Sequence, residues 1–273
     1  MSASTKPQYI FKMRLKGTAL KGLFNFKKSV LSNGIMRWHI SPTNVRCSEI
    51  NPEGRILINY TIDGKNLVEY KYSIPEPIYS TVFEIQEFST PVSTMKISDT
   101  LKVFITNTNP SILHVHIVDR DNNIKRKKIQ TQIKQEVVIN QSPDIYLATP
   151  VNLEPETFHS FMRLSQNIAK TNDMRITITI QAPDFISFSR DGEESQTHGS
   201  YKKKKPAYTG EFNINELKHI LKLTPCTTIL NIYQPTSNVD IAPLFVRGNI
   251  KNVGEFEVYI HRCDVEPIKE NEI

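Results

Sequence analysis

The sequence predicts an α+β protein made of two similar domains, each an antiparallel sheet with helices on one face. Short segments of alternating apolar and polar residues, typical of half-buried strands, outnumber the helical patterns. An amphipathic helix pattern at residues 18–32 is followed by a weakly similar and cleaner one at residues 154–170, and strands follow both. Turn signals between neighbouring strands favour hairpins and therefore antiparallel pairing. We expect an N-terminal domain at residues 1–130, a connector at 131–150 and a C-terminal domain at 151–273.

The first half is predicted to open with a strand at residues 9–15 and a helix at residues 18–32. Lys21 and Lys28 lie opposite the apolar stripe of this helix. Lys27 falls inside that stripe, and we expect its long side chain to reach solvent from the helix edge. The stripe consists of Leu20, Leu23, Phe24, Val30 and Leu31.

A strand meander is predicted to follow. Residues 55–62 alternate, Asp63 and Gly64 form a hairpin signal, and residues 66–72 are expected to return along residues 55–62. Residues 79–88 fit a second short helix with Val82, Ile85 and Phe88 facing inward. Further strands are predicted at residues 101–106, 112–118 and 124–129, the last two joined across Asp121, Asn122 and Asn123.

The connector region, residues 130–150, is rich in amide side chains and loses its periodicity. It still contains Ile133, Val137, Val138 and Ile139. We therefore expect it to lie on the body of the protein.

The second half is predicted to begin with a helix at residues 154–170, with Phe158, Phe161 and Met162 buried and Arg163 and Lys170 exposed. Strands at 174–180 and 185–188 follow, and then a polar segment at 191–205. A helix at residues 213–223 is expected to expose Lys218 and Lys222. Three last strands are predicted near residues 227–233, 242–250 and 255–262.

Composition narrows the class of protein. The 273 residues are 38% hydrophobic, enough for a buried core, and carry a net charge of +6. A positive balance favours an anionic partner. The three cysteines are scattered, which favours a reducing compartment. The sequence contains no signal-peptide pattern and no apolar run of membrane-spanning length, so we expect a soluble intracellular protein with no membrane partner.

Patterns that would indicate catalysis are missing. The sequence has no P-loop, dinucleotide-binding, zincin or nucleophile-elbow motif, and its ten glycines argue against a phosphate-cradling loop. Asp119 and Asp121 fit hairpin-turn chemistry better than a metal site. His114 and His116 share a strand face without a third spaced ligand. We predict no catalytic residues, no metal and no cofactor.

The recurring feature is positive charge on the outward faces of three predicted helices. Each such face is ordinary by itself, because helices usually expose charge. Together the three would form a patch that attracts phosphates without reading base sequence. The helix predicted at residues 79–88 departs from this pattern with Glu84 and Glu87. The four lysines at residues 202–205 are expected to form a flexible solvated loop, with nuclear localisation or a second DNA contact as alternatives.

Several stretches resemble the sliding clamps of the proliferating cell nuclear antigen (PCNA) family. They cover nearly the whole chain and are diffuse patterns rather than invariant signatures. The stretches are Phe11–Leu15 with Ala19–Leu23, Trp38–Ser41 with Val45, residues 56–62, residues 158–167, Leu217–Pro225, Ala242–Leu244 and Phe256–Ile260. The resemblance implies the DNA clamp fold, a ring that is usually a homotrimer, helices lining a central hole and no catalytic activity. It also implies double-stranded DNA, DNA polymerase, other proteins with PCNA-interacting-peptide motifs and a clamp loader as partners, at a nuclear or cytoplasmic site of DNA replication.

Carried over by position, the resemblance implies DNA-binding roles for Lys21, Lys28, Arg163 and Lys222. Helical phase alone adds Lys170 and Lys218. Partners of the family insert an apolar and aromatic plug beneath the connector, for which the candidates here are Ile50, Val137, Ile139, Pro243 and Tyr259.

This chain also departs from the family. It is basic where members are often acidic, the second helix lacks the expected lysines, Gly54 and Arg55 replace expected partner-pocket residues, and the lysine loop is an addition. These departures suggest a divergent clamp, as from a large DNA virus, and leave open a heterotrimer subunit, a checkpoint-type clamp or a transcription-factor clamp. Two alternatives remain: a clamp-like scaffold for viral late transcription or DNA repair that binds DNA without encircling it, and an unrelated enzyme with a basic substrate groove.

Overall fold

A computed structural model describes residues 8–31, 34–82, 85–135, 146, 149–168, 174–190, 193–203, 205–236 and 240–265. The chain divides into two compact units. The first contains Met1–Glu49, Tyr60–Ile139 and Ile250–Gly254, and the second contains Ile50–Asn59, Asn140–Asn249 and Glu255–Ile273. Val137, Ile139 and Lys170 lie outside the described residues.

The first unit is built on an antiparallel sheet whose order is β3-β2-β6-β9-β8-β7-β1-β5. Its helices are α1 (Lys21–Val30) and α2 (Ile85–Ser93), which pack against each other. The strands up to the connector are β1 (Tyr9–Lys16), β2 (Met36–Ile40), β3 (Asn44–Ile50), β4 (Ile56–Asp63), β5 (Glu69–Tyr72), β6 (Ile78–Val82), β7 (Thr100–Thr106), β8 (Asn109–Val118) and β9 (Ile124–Gln135). β4 carries residues of both units.

The core of the first unit lies between the helix pair and the sheet. Phe24 of α1 and Phe88 of α2 have ring centroids 4.7 Å apart, and Phe88 meets Trp38 of β2 edge-on at 5.1 Å. All three are fully buried. Burial of large aromatic side chains is the main stabilising term for such a layer.

The second unit repeats this plan. α3 (Pro155–Ile168) and α4 (Ile214–Ile220) contact each other, and Phe161 of α3 packs on Phe188 at 4.7 Å. The strands form two antiparallel groups, β10-β15-β16-β17 and β13-β12-β11-β14. They are β10 (Val151–Leu153), β11 (Arg175–Gln181), β12 (Phe185–Arg190), β13 (Glu193–Gly199), β14 (Tyr208–Asn213), β15 (Leu230–Tyr233), β16 (Leu244–Ile250) and β17 (Gly254–Ile260).

Two elements of the predicted meander were wrong. Residues after Gly64 do not return along β4, because β5 pairs with β1, Lys12 standing opposite Lys71. Gly64 is buried, with its N–H donating to the Thr43 carbonyl at 2.8 Å, so the turn is set by packing and not by a two-residue hairpin. Residues 78–82 form β6, and α2 starts only at Ile85. The prediction had joined the end of a strand to the first turn of a helix.

In the second half, the polar segment predicted at residues 191–205 contains β13, which pairs with β12. β14 was not predicted. Its buried residues Tyr208, Gly210 and Phe212 alternate with exposed ones, but Gly210 has no apolar side chain, so the sequence does not show the alternation. The helix predicted to Leu223 ends at Ile220 and continues as turns. The hairpins at residues 112–129 and 174–188 are confirmed, with Val118 opposite Ile124 and Gln181 opposite Phe185.

Candidate nucleic-acid and partner interface

The first helix presents two lysines away from the core, as predicted. Lys28 is exposed in the last turn of α1, where a cation also suits the negative end of the helix dipole. Lys21 is half-buried at the helix start, and its Nζ donates to the Met95 carbonyl at 3.4 Å. Within the described residues neither lysine forms an ion pair.

Lys27 corrects a prediction, because it does not reach solvent. Its side chain is completely buried, and its Nζ lies 2.6 Å from Glu49 Oε2 on β3. The ammonium also donates to Cys47 Sγ at 3.3 Å and to the Tyr60 hydroxyl at 3.4 Å. Burial opposes the charge, yet the pKa of Lys27 is raised, because the negative groups around it outweigh desolvation. The pair ties α1 to β3 beneath the face that carries Lys28.

The second unit exposes a similar set. Two cations are exposed, Arg163 on α3 and Lys222 in the turn after α4. Lys218 is half-buried, and its Nζ donates to Asn215 Oδ1 at 3.0 Å. The Asn213 side chain caps α4 by accepting from the Asn215 N–H at 2.8 Å. Burial lowers the pKa of His219, and the positive charge of Lys222 lowers it further, so this ring is neutral near pH 7. None of the three cations forms an ion pair with a described residue.

Two carboxylates on the helices are engaged by cations from outside the helices. Glu87 of α2, predicted as an anomaly, lies 3.2 Å from Lys127 Nζ of β9. Glu216 of α4 lies 3.9 Å from Arg55 Nε. These acids therefore leave the helix cations unneutralised. Several cations in or beside the sheets, in contrast, are already paired with acids: Lys12 and Lys71 with Glu69, Arg175 with Glu211, Arg247 with Glu255 and Arg262 with Asp264.

Two predicted partner-binding residues, Pro243 and Tyr259, lie in an aromatic cluster of the second unit. The rings of Tyr259 and Phe245 stack at 4.5 Å, and Tyr233 stacks on Phe245 at 4.7 Å. Tyr146, from the predicted connector, packs on Phe245 at 4.8 Å, and its hydroxyl donates to the Pro243 carbonyl at 3.0 Å. The sequence analysis did not assign Phe245, Tyr233 or Tyr146 to this site. Tyr146 could have been proposed, because it is a tyrosine among the apolar residues of the predicted connector. Ile50 is half-buried at the end of β3.

The segment before β16 is held by two tyrosines. The Tyr208 hydroxyl donates to the Ala242 carbonyl at 2.8 Å, next to the bond from Tyr146 to Pro243. Burial raises the pKa of both hydroxyl groups, so both remain protonated donors. This arrangement fixes Pro243 against the aromatic cluster.

The lysine loop is more ordered than predicted. Gln181, which is buried, donates to the carbonyls of Lys202 and Lys205, both at 2.9 Å, and accepts from the Lys202 N–H at 2.7 Å. Lys202 Nζ also lies 2.9 Å from Asp184. The backbone is therefore tied to the end of β11, while the side chains of Lys202, Lys203 and Lys205 stay exposed.

The predicted turn at Asp119 is confirmed. Its Oδ1 accepts from the N–H groups of Asp121 and Asn123, both at 2.9 Å, which is turn chemistry. Among the described residues, no group of three or more His, Cys, Asp or Glu side chains is placed to hold a metal ion. No helix in the described part of the chain is both long and apolar enough to cross a membrane.

Comparisons with known proteins identify the fold. No family model matches the chain, and no curated protein matches it in sequence. Among solved structures it is similar to the proliferating cellular nuclear antigen of Entamoeba histolytica, with a TM-score of 0.72 and 14% sequence identity. The match covers 93% of this chain and 99% of that protein. The chain therefore has the clamp fold, predominantly antiparallel sheet with few helices.

Proposed function

We propose that this chain is a subunit of a sliding clamp that encircles double-stranded DNA and acts as a processivity factor. The observation that carries the proposal is a set of exposed cations on a chain with the clamp fold: Lys28 and Arg163 on helices and Lys222 in the turn after α4. No described carboxylate neutralises them. Mobile cations that meet phosphates without reading bases suit a protein that moves along a duplex. Lys21, Lys170 and Lys218 complete the proposed DNA-binding set.

The proposal extends to assembly and partners. The ring is a homotrimer with domains at residues 1–130 and 151–273 joined by a connector at 131–150, opened by a clamp loader. It docks DNA polymerase and other proteins that carry PCNA-interacting-peptide motifs, and it has no catalytic step of its own. Pro243 and Tyr259, with Ile50, Val137 and Ile139, form the proposed docking site. The chain acts where DNA replication occurs, in the nucleus or the cytoplasm, and its departures from the family suit a divergent, viral clamp.

Threading on linear DNA tests encirclement without a loader. A linear duplex is tethered at one end, and its free end is blocked with streptavidin either before or after incubation with the protein. A ring enters over the free end, so blocking beforehand should prevent loading, and blocking afterwards should retain the protein in high salt. A protein that binds without encircling would respond to salt alone, and equal retention with both blocking orders would reject the proposal.

A further inference from the structure

The outer face of the first unit's sheet, opposite its helices, carries a second concentration of positive charge. Side chains alternate across a strand, and Lys127 of β9 points to the helix layer, where it meets Glu87. Its neighbours Arg126 and Lys128 therefore point to the other face. The same alternation places Lys12, Arg14, Lys102, His114 and His116 on that face, since the residues between them are buried.

Strand pairing arranges these residues in two continuous rows across five strands. One row consists of Lys71, Lys12, Phe104, His114 and Lys128. The other consists of Glu69, Arg14, Lys102, His116 and Arg126. Each row is about 19 Å long and the two lie about 7 Å apart, from ordinary sheet spacings. We call these ten residues the outer patch.

The outer patch holds six cations and a single carboxylate. Glu69 is shared by Lys12 at 2.8 Å, Lys71 at 3.3 Å and Arg14 at 3.8 Å. Hydrogen bonding to Lys12 is the main reason that the pKa of Glu69 is lowered. At the other end of the rows, Lys102, Arg126 and Lys128 form no ion pair within the described part of the chain. The positive charge there is available to a ligand.

Aromatic rings lie between these cations. Phe104 and His114 stack at 4.7 Å with their planes 3° apart, and His116 meets Phe104 edge-on at 4.9 Å. All three rings are half-buried. Burial lowers the pKa of both histidines. The positive charge of Lys128 lowers the pKa of His114 further, and that of Arg126 does the same for His116. Near pH 7 both are therefore neutral rings and not further cations.

We propose that the outer patch binds single-stranded nucleic acid, its cations meeting phosphates and its ring cluster stacking unpaired bases. Positively charged surfaces with interleaved aromatic rings are the recurring platform for such strands. An acidic peptide fits less well, because its backbone N–H groups need acceptors and the only carboxylate of the patch is already shared by three cations. A duplex fits less well because its bases are paired and cannot stack on the rings. This inference does not depend on the proposed function.

The test is binding of a fluorescently labelled 20-nucleotide oligo-dT to the full chain, measured by anisotropy across a salt series. β9 supplies a matched pair of variants: Arg126→Ala with Lys128→Ala on the outer face, and Lys125→Ala with Lys127→Ala on the helix face. Both remove two charges from the same strand. The outer variant should bind about ten-fold more weakly and lose roughly 1.4 from the slope of log K against log salt. The helix-face variant should bind as the unchanged protein does.

Stacking has its own readout. Phe104→Leu keeps an apolar side chain but removes the ring, and should weaken oligo-dT binding by about five-fold or more, while binding of a strand of abasic sites should not change. Bound phosphate should also raise the pKa of His114 and His116 in NMR titrations. Equal effects of the two β9 variants, or poly-glutamate displacing oligo-dT at matched charge, would overturn the proposal. The proposal would also be overturned if oligo-dT binding were lost on changing Lys28, Arg163 and Lys222 to alanine, and not on changing Arg126 and Lys128.

Discussion

Lys27 Nζ lies 2.6 Å from Glu49 Oε2, and both side chains are shielded from solvent. The pair joins α1 to β3, and the Glu49 carboxylate also accepts from the Arg37 N–H at 2.7 Å. A buried charge that loses its partner is far more costly than the pair is stabilising. The position of the exposed Lys28 therefore depends on an ion pair one residue away.

Breaking this pair should destabilise the protein. Lys27→Met leaves Glu49 as an unpaired buried charge, and we expect the free energy of unfolding to fall by about 3–5 kcal/mol in chemical denaturation. Lys28→Met, one residue along the chain, should change it by no more than about 0.5 kcal/mol. Lys27→Met combined with Glu49→Leu should recover much of the loss. A single Lys27→Met variant as stable as the unchanged protein would contradict the assignment.

The pair also predicts a pH dependence. The folded-state pKa of Lys27 is raised above its ordinary value of 10.5. Its contribution to stability is therefore complete below about pH 10.5 and is lost as the pH rises through the higher folded-state value. Unfolding free energies of the unchanged protein and of Lys27→Met, measured from pH 8 upward, should converge at alkaline pH. Curves that stay parallel would show that Lys27 is not charged in the folded protein.

Glu216 predicts a dependence of the same sign at lower pH. Burial, only partly offset by Arg55, raises its pKa to about 7 from 4.5. Between these values the folded protein holds a proton that the unfolded chain has released, so stability falls as pH rises. Glu216→Gln should abolish this fall and stabilise the protein by about 1 kcal/mol at pH 8, after allowance for solvent screening. Glu211→Gln, the same substitution at an exposed acid paired with Arg175, serves as the control variant.

The helix cations should control duplex binding. Changing Lys28, Arg163 and Lys222 to alanine removes the three exposed cations, and the slope of log K against log salt should fall by nearly 3 for a duplex. The matched control changes Arg175, Lys202 and Arg247 to alanine; it removes the same charge, but from cations already paired with Glu211, Asp184 and Glu255. Equal slopes for the two triple variants would show that the helix faces do not meet phosphate.

The aromatic cluster should control partner docking. Tyr259→Ala removes the ring that stacks on Phe245 at 4.5 Å, and binding of a peptide with the PCNA-interacting motif, measured by calorimetry, should weaken by about ten-fold. Tyr201→Ala, a half-exposed tyrosine of the same unit, serves as the control. The oligomer mass should be unchanged in both variants. A peptide that binds both variants equally would place docking elsewhere.

Local patterns predicted the elements whose partners are close in sequence. The hairpins closed at Asp121–Asn123 and at Asp184 were found because their turn residues and alternation agree. The pairing of β5 with β1 was missed, since Asp63 and Gly64 suggest a hairpin while the actual partner lies more than fifty residues earlier. A short-range signal carries no information about such a partner.

Site residues followed the same rule. The outward phase of Lys28, Arg163 and Lys222 could be read from helical spacing, and the structure places all three on the surface. The environment of Lys27 could not be predicted, because Glu49 and Tyr60, which make a buried charge tolerable, are distant in sequence. Tyr146 was missed for a related reason: its role depends on Pro243 and Phe245, almost a hundred residues later.

The molar mass of the particle in solution tests the central claim most directly. Light scattering at micromolar concentration should give about three times the subunit mass of 31.3 kDa. A strict monomer at that concentration would contradict a closed ring, whatever the DNA affinity of the chain.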